Sequence, residues 1–228
     1  LAACIVTAGV RPGRAALDEW PSLWRDPTFR KQFMGSYGVR SDVEPRVSVV
    51  EREQLEKIVA IMAQDGGPAK AKPLLAAMAK PAATAVVDFT LANLYFQENE
   101  LESAAKWYRS AIGKFPDFQR AHKNLGLVAV RLGSFDEALE SLTRATELGS
   151  VEGLTYGLLG YAYAMAGRFT AAESAYRQAM LLQPDTLDWK LGLARCLFKQ
   201  NQFARAASLC DELIRLDMNR ADYWVLQA

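Results

Sequence analysis

A residue pattern recurs every 34 positions along more than half of the 228 residues of this chain. One register holds only alanine, at positions 104, 138, 172 and 206, and another holds only leucine, at positions 91, 125, 159 and 193. A third register holds large apolar residues, namely Leu101, Phe135, Phe169 and Phe203. Registers that keep one phase without an insertion indicate an array of equal units, in which each unit buries its apolar face against its neighbours.

Within one unit the pattern predicts two helices joined by a short turn. Gly126, Gly160 and Ala138 fall where two helices approach closely, because a larger side chain would push the helices apart. The turns read ENE, LGS, AGR and QNQ, and Gly133 and Gly167 are suited to the positive φ that ends a helix. The array is therefore predicted to be all-α.

The unit 153–186 carries the fullest version of a known pattern. Its matching residues, in order, are Leu159, Gly160, Tyr163, Gly167, Phe169, Ala172, Tyr176, Ala179 and Pro184. In residue type and spacing they resemble the tetratricopeptide repeat family. The resemblance implies a right-handed α-solenoid of stacked helix-turn-helix repeats, with four repeats at 85–118, 119–152, 153–186 and 187–220.

Both ends of the array carry partial units. Residues 48–84 resemble a degenerate repeat, a helical hairpin expected to stack on 85–118 as an N-terminal cap. Residues 221–228 begin a truncated fifth repeat, with Trp224 where the family often has Trp, so the sequence is expected to be a fragment of a longer array. Two serine–glutamate pairs have capping-box spacing and predict helix starts: Ser48 with Glu51, and Ser134 with Glu137.

Composition excludes several classes of function. The 27 basic and 26 acidic side chains give a net charge of +1, which argues against nucleic-acid binding because that function needs a basic excess. The single histidine, His122, is interpreted as a packing or surface residue, and Cys196 and Cys210 fall on packing registers and are interpreted as buried, inert thiols. No catalytic constellation is found, so we predict a protein that is not an enzyme and that has no cofactor and no metal site.

The first helix of each repeat is expected to line a concave face. If the array is like its family, the inner positions of each unit supply the peptide-binding residues, here Phe89, Asn93, Phe96, Lys123, Asn124, Leu127, Arg131, Tyr161, Met165, Arg195 and Phe198. Arg120, at the second position of its repeat, also lies in this inner register. The family's clamp for a C-terminal carboxylate is not predicted, because Lys123 is followed by Leu127 where that clamp needs an asparagine.

The expected groove is apolar with scattered cationic and amide groups. Such a groove suits an amphipathic helix or an extended peptide with apolar anchors and some acidic character. Packing between repeats is the alternative explanation for several of the apolar members, above all Leu158 and Leu191.

The apolar stretch 1–14 begins without methionine and ends in small residues, as the tail of a signal peptide does. Leu1–Cys4 resembles a bacterial lipobox, which makes Cys4 a candidate for lipidation, whereas Val6–Ala8 would suit ordinary signal cleavage. A packed terminal element is the third alternative. Membrane association is expected only through such an anchor, and a periplasmic or membrane-anchored location is favoured over a cytoplasmic one.

The irregular segment 15–47 is rich in aromatic residues, namely Trp20, Trp24, Phe29, Phe33 and Tyr37. Three roles are open for it: a cap packed on the degenerate repeat, an occupant of the concave groove, or a docking element for another protein. Residues 35–39 together with Glu44 and Pro45 resemble the N-terminal part of periplasmic repeat proteins that accompany TonB-type systems.

The sequence therefore predicts a non-catalytic scaffold that binds a protein or peptide partner in a preformed groove. One alternative is an exported accessory protein of an envelope assembly or of a TonB-type transport system. The other is a regulatory repeat domain of a larger enzyme.

Overall fold

The computed structural model describes residues 42–216. The described residues form ten α-helices and no strand, which confirms the all-α class. The helices are α1 Val49–Met62, α2 Gly67–Met78, α3 Ala85–Gln97, α4 Leu101–Lys114, α5 Gln119–Leu132, α6 Phe135–Glu147, α7 Gly153–Met165, α8 Phe169–Leu182, α9 Leu187–Lys199 and α10 Phe203–Leu216. The stretch 1–14, most of the aromatic segment and the partial repeat 221–228 lie outside the described residues.

The described helices form two compact units. Unit 1 comprises residues 42–132, in which α1 packs on α2, α2 on α3, α3 on α4 and α4 on α5. Unit 2 comprises residues 133–216, in which α6 packs on α7, α7 on α8, α8 on α9 and α9 on α10. Each helix packs mainly on its neighbours in sequence, as expected for a repeat array.

Of the two predicted capping boxes, the one at Ser48 forms its serine cap. The backbone N–H of Glu51 donates to Ser48 Oγ at 3.2 Å, and Glu51 Oε1 accepts from the backbone N–H of Thr84 at 2.9 Å, which ties α1 to the start of α3. At Ser134 the predicted helix start is confirmed, since Ser134 is the N-cap residue of α6, but the predicted capping box does not form because the serine side chain makes no cap hydrogen bond. The ψ angle of Ser134 is 71°, whereas that of Ser48 is 156° and extended, as N-cap residues usually are. The Ser134 hydroxyl therefore does not point to the backbone N–H groups in the first turn of α6.

A residue with positive φ follows the first helix of each of the four repeats. These residues stand 34 positions apart: Asn99 at 61°, Gly133 at 75°, Gly167 at 73° and Asn201 at 59°. The prediction for the two glycines is confirmed. The first and fourth repeats place asparagine at the same point, and asparagine tolerates this left-handed conformation better than other residues with a side chain.

Unit 1 buries a charged residue in its core. The Asp88 side chain is fully buried, and its Oδ1 accepts from Lys114 Nζ at 2.8 Å while its Oδ2 accepts from Ser110 Oγ at 2.5 Å. Lys114 Nζ also donates to the carbonyl of Lys80 at 2.9 Å. These bonds join α3, α4 and the loop before α3, and they satisfy a carboxylate that would otherwise be costly to bury.

Unit 2 is closely packed around two aromatic rings. A Cβ added at Gly160 or Gly192 would lie 2.8 Å or 2.4 Å from the ring of Tyr176, so both helices approach that ring as only glycine allows. The close approach predicted at Gly160 is thereby confirmed. A Cβ at Gly157 would lie 2.4 Å from the ring of Trp189, which explains a second glycine of α7.

The two cysteines of unit 2 are buried, free thiols. Burial raises the pKa of Cys196 to about 11, and burial also raises the pKa of Cys210. The fraction of reactive thiolate at neutral pH is therefore small, in keeping with the interpretation of both residues as packing groups.

No helix in the range 42–216 combines the length and the apolar character needed to cross a bilayer.

Candidate functional site

The first helix of each repeat has a closed side and an open side. The fifth position is buried in all four repeats, at Phe89, Lys123, Gly157 and Leu191. The ninth position is more open, since Asn93 and Leu127 are half-buried while Tyr161 and Arg195 are exposed. The predicted binding residues therefore divide into packed and accessible ones.

Three of the predicted binding residues are packed. Phe89 is 2% exposed, and its ring lies 4.8 Å from that of Phe118 and 5.7 Å from that of Tyr108, measured between centroids. Lys123 and Phe96 are 5% and 6% exposed. The prediction that these three residues are surface contacts is corrected here, because each side chain is almost fully buried.

We define the unit 1 face by the accessible residues of α3 and α5, namely Asn93, Arg120, Asn124, Leu127 and Arg131. The four residues on α5 are three or four positions apart and so share one side of the helix. Asn93 lies opposite them on α3, as its contact with Asn124 shows.

An amide pair lies at the centre of the unit 1 face. Tyr108 Oη donates to Asn93 Oδ1 at 2.6 Å, and Asn124 Nδ2 donates to the same oxygen at 3.1 Å. These bonds hold both amides in fixed orientations. Among residues 42–216, Asn93 Nδ2 has no hydrogen-bond acceptor and Asn124 Oδ1 has no donor. The N–H₂ group of Asn93 and the side-chain carbonyl of Asn124 can therefore pair with the backbone of a ligand.

Arg131 closes one end of the unit 1 face. Its guanidinium lies 5.2 Å from the centroid of the Phe96 ring, and its Nη2 donates to Asn99 Oδ1 at 2.5 Å. Burial lowers the pKa of Arg131, which nevertheless stays charged at any physiological pH. Its guanidinium lies over the Phe96 ring.

An ion pair closes the other end of the unit 1 face. Arg120 makes two hydrogen bonds to the Glu44 carboxylate, from Nε to Oε1 at 2.8 Å and from Nη2 to Oε2 at 2.5 Å. The inner position of Arg120 could be read from the repeat register, but its partner could not. The two residues are 76 positions apart, and the chain near Glu44 carries no repeat pattern.

We define the unit 2 face as Tyr161 and Met165 on α7 with Arg195 and Phe198 on α9. All four were predicted as binding residues, and all four are exposed. Tyr161 and Phe198 are each 42% exposed and Met165 is 53% exposed. Contiguous exposed apolar patches mark interaction sites on many proteins, which makes these four residues the candidate binding surface of unit 2.

Two further rings support the exposed aromatic residues of unit 2. Phe135 meets Tyr161 edge to face at a centroid distance of 6.0 Å, and Phe203 meets Phe198 in the same way at 5.4 Å. Phe203 is itself 54% exposed. The edge-to-face contacts limit ring motion and so lower the entropy lost when a ligand binds.

The remaining candidates are placed as follows. His122 Nε2 lies 2.8 Å from the carbonyl oxygen of Pro116, a local contact that fits the interpretation as a packing or surface residue. Within 42–216 no three His, Cys, Asp or Glu side chains lie together as a metal-binding group. Cys4 and the aromatic residues of the predicted docking segment, Trp20, Trp24, Phe29, Phe33 and Tyr37, lie outside the described residues.

Helical hairpins at 34-residue spacing, each with accessible side chains on its first helix, define an all-α helical-repeat protein. Two family models, both described as tetratricopeptide repeat, match residues 89–152 and 163–228. The chain belongs to the tetratricopeptide repeat family, whose members are generally non-catalytic scaffolds for protein–protein interaction.

Known proteins match parts of the chain. Cellulose synthase operon protein C of Pseudomonas fluorescens is 29% identical over 140 residues, covering 58% of this chain and 11% of that protein. Serine/threonine-protein phosphatase 5 of Rattus norvegicus is 31% identical over 119 residues, covering 51% of this chain and 24% of that protein. The chain thus spans between about a tenth and a quarter of the length of these relatives.

Solved structures share the fold. One form of MamA MSR-1 superposes with a TM-score of 0.65 at 20% identity, covering 75% of this chain and 98% of that one. YrrB, described as a TPR protein with an unusual peptide-binding site, superposes with a TM-score of 0.59 at 22% identity, covering 63% of this chain and 74% of that one. These likenesses support the helical-repeat fold.

Proposed function

We propose that this protein is a non-catalytic scaffold that binds a peptide or helix of a partner protein on the unit 2 face. The observation that carries this proposal is the exposure of Tyr161, Met165 and Phe198 around Arg195. Aromatic residues, methionine and arginine are enriched at protein interfaces, and aromatic residues and arginine dominate their binding hot spots.

The chemistry of the face indicates the ligand. Tyr161 and Met165 are one helical turn apart and present a continuous apolar strip, while Arg195 stands at the same repeat position as Tyr161 on α9. A ligand with apolar anchors and a carboxylate complements both the apolar strip and the positive charge of Arg195. An amphipathic helix or an extended segment can present that combination.

The solved relatives are consistent with this use of the fold. YrrB carries a peptide-binding site by its own description, and it shares the helical-repeat fold with this chain. The likeness supports peptide binding as a mode of action, and the residues proposed for it come from the exposed surface of unit 2.

The experiment is selection from a random-peptide phage library on the full chain, followed by affinity measurement for the selected peptides. The double variant Tyr161→Ala with Phe198→Ala is expected to weaken binding by at least about tenfold, because each residue is a hot-spot type. The matched control is Leu181→Ala, which removes an apolar side chain that is 79% exposed on α8 of the same unit. Equal affinity of the double variant and the control would contradict the proposal.

A second candidate function is a regulatory repeat segment of a longer protein that also carries an enzyme. It is favoured by the match to a quarter of serine/threonine-protein phosphatase 5. The open reading frame that encodes this chain tests this candidate directly. A catalytic domain fused to these repeats would support the candidate, and an open reading frame without a catalytic domain would contradict it.

The third candidate is an exported, lipid-anchored accessory protein of an envelope assembly or transport system. It rests on the lipobox-like residues Leu1–Cys4. Intact-mass analysis of the native protein tests this candidate. A native protein that begins at a diacylated Cys4 supports this candidate. A native protein that still carries Leu1 and the residues before it contradicts this candidate.

A further inference from the structure

The described end of the aromatic segment is bound like a ligand. Val43, Glu44 and Pro45 are all buried, although residues 42–48 form neither helix nor strand. Glu44 is 7% exposed, and its two carboxylate oxygens accept the paired hydrogen bonds of Arg120. Such a bidentate pairing is geometrically specific for a carboxylate.

The surroundings of Arg120 form a site with several parts. Its guanidinium lies 5.4 Å from the centroid of the Phe89 ring and 5.8 Å from that of Phe118, so two rings back its apolar side. The backbone N–H of Gln119, the first residue of α5, donates to the carbonyl of Val43 at 3.2 Å. The positive end of the α5 dipole lies at the same place and favours a negative group.

The site continues along the unit 1 face. Asn124 follows Arg120 by one helical turn, about 6 Å along the helix axis. Its free carbonyl and the free N–H₂ of Asn93 are placed to pair with the backbone of an extended chain that already binds at Arg120. A carboxylate-binding group and a backbone-binding pair therefore lie in line on α5 and α3.

We propose that the unit 1 face is a recognition site for an extended partner peptide with a glutamate between an apolar residue and a proline, and that Val43–Pro45 is its internal occupant. The inference goes beyond the proposed function, which concerns the unit 2 face. A partner peptide with these three residues displaces the internal segment. The segment therefore sets the minimum affinity that a partner needs in order to bind.

The electrostatics select the ligand. If Glu44 leaves, the half-buried guanidinium of Arg120 loses the two hydrogen bonds to that carboxylate. A ligand that supplies a carboxylate in the same place restores the bidentate pairing. The apparent association constant for that ligand equals the intrinsic constant multiplied by the fraction of molecules in which the internal segment has left the site.

The test uses a labelled peptide with the sequence of residues 42–47, DVEPRV, and fluorescence polarisation on the full chain. The variant Glu44→Gln keeps the shape of the side chain but removes its charge, and it is expected to bind the peptide at least about tenfold more tightly than the unmodified chain. Adding Arg120→Gln to that variant is expected to abolish the gain. The matched control is Glu147→Gln, which breaks the exposed ion pair with Arg144 in unit 2 and is expected to bind like the unmodified chain.

Two results overturn the inference. One is equal peptide affinity of the unmodified chain and Glu44→Gln, whether both bind or neither does. The other is equal binding of the peptide DVQPRV, which lacks the carboxylate. The double variant Tyr161→Ala with Phe198→Ala separates the two proposals. If it weakens binding of DVEPRV as much as Arg120→Gln does, the peptide binds at unit 2 and only the proposed function stands.

Discussion

Phe96 and Phe198 occupy the same position of the first and fourth repeats, yet one is 6% exposed and the other 42%. Arg131, one repeat further along, places its guanidinium over the Phe96 ring, whereas the ring of Phe198 is open on the side that Phe203 does not cover. The environment of a repeat position is therefore set by the side chains that follow it. The unit 1 face has its ends closed by Glu44 and Arg131, and the unit 2 face presents its apolar side chains to solvent.

The charges differ in the same way. Unit 1 holds Asp88 fully buried against Lys114, whose side chain is 19% exposed. In unit 2 the carboxylate of Glu173 accepts from Arg177 and Arg205 at the surface, where the two arginine side chains are 49% and 52% exposed. Asp88 is thus paired inside the packing of unit 1, whereas Glu173 is paired with exposed arginines in unit 2.

The largest expected effect is that of Lys114→Met. The variant leaves the buried Asp88 carboxylate without its cation, which is expected to lower the free energy of unfolding by about 3 to 5 kcal/mol. Urea denaturation followed by circular dichroism measures it. The matched control is Arg177→Met, which removes an exposed partner of Glu173 and is expected to cost less than about 1 kcal/mol. Equal losses in the two variants would show that the burial of Asp88 does not matter for stability.

The second prediction uses the two equivalent phenylalanines. Phe96→Ala is expected to destabilise the protein by about 3 kcal/mol, since it leaves a cavity under Arg131. Phe198→Ala is expected to cost less than about 1 kcal/mol, because its ring is already partly in water, and to weaken binding of the selected peptides instead. Denaturation and peptide binding are measured on both variants. A large loss of stability in Phe198→Ala would remove it from the unit 2 face.

Much of this fold could be predicted because repeat proteins are built from contacts that are local in sequence. The glycine turns at Gly133 and Gly167 and the close approach at Gly160 follow from the repeat pattern. Ser134 shows the limit of such reasoning. Its capping box has the right residues, but the tight turn after Gly133 fixes a backbone angle that prevents the hydrogen bond.

The candidate sites could be predicted only in part. The register identified Tyr161, Met165, Arg195 and Phe198, which are all exposed. The register also predicted Phe89 as a binding residue, but its ring packs against Phe118 in the core of unit 1. The pairing of Glu44 with Arg120 joins a segment outside the repeats to a helix 76 residues later, and no local pattern carries a contact of that range.

The third prediction tests packing against backbone entropy. Gly157→Ala places a Cβ within 2.4 Å of the Trp189 ring in unit 2, and such overpacking is expected to cost about 1 to 3 kcal/mol. Gly113→Ala in α4 of unit 1 meets nothing within 4 Å and is expected to stabilise by roughly 0.5 to 1 kcal/mol, since alanine is the better helix former. Thermal and urea denaturation of both variants check the opposite signs, and a shared sign would show that the Trp189 ring moves aside at little cost.

The smallest expected effect distinguishes two turns that both place asparagine at the residue with positive φ. Asn201 has a φ of 59°, so Asn201→Gly is expected to relieve left-handed backbone strain and to stabilise unit 2 by up to about 1 kcal/mol. Asn99 has a similar φ of 61°, but its Oδ1 accepts the 2.5 Å hydrogen bond from Arg131. Losing that bond is expected to offset the gain, because a hydrogen bond to a charged group contributes roughly 1.5 to 3 kcal/mol. Asn99→Gly is therefore expected to be neutral or destabilising. Urea denaturation of the two variants measures the difference, and equal gains would mean that Arg131 keeps its position over Phe96 without the help of Asn99.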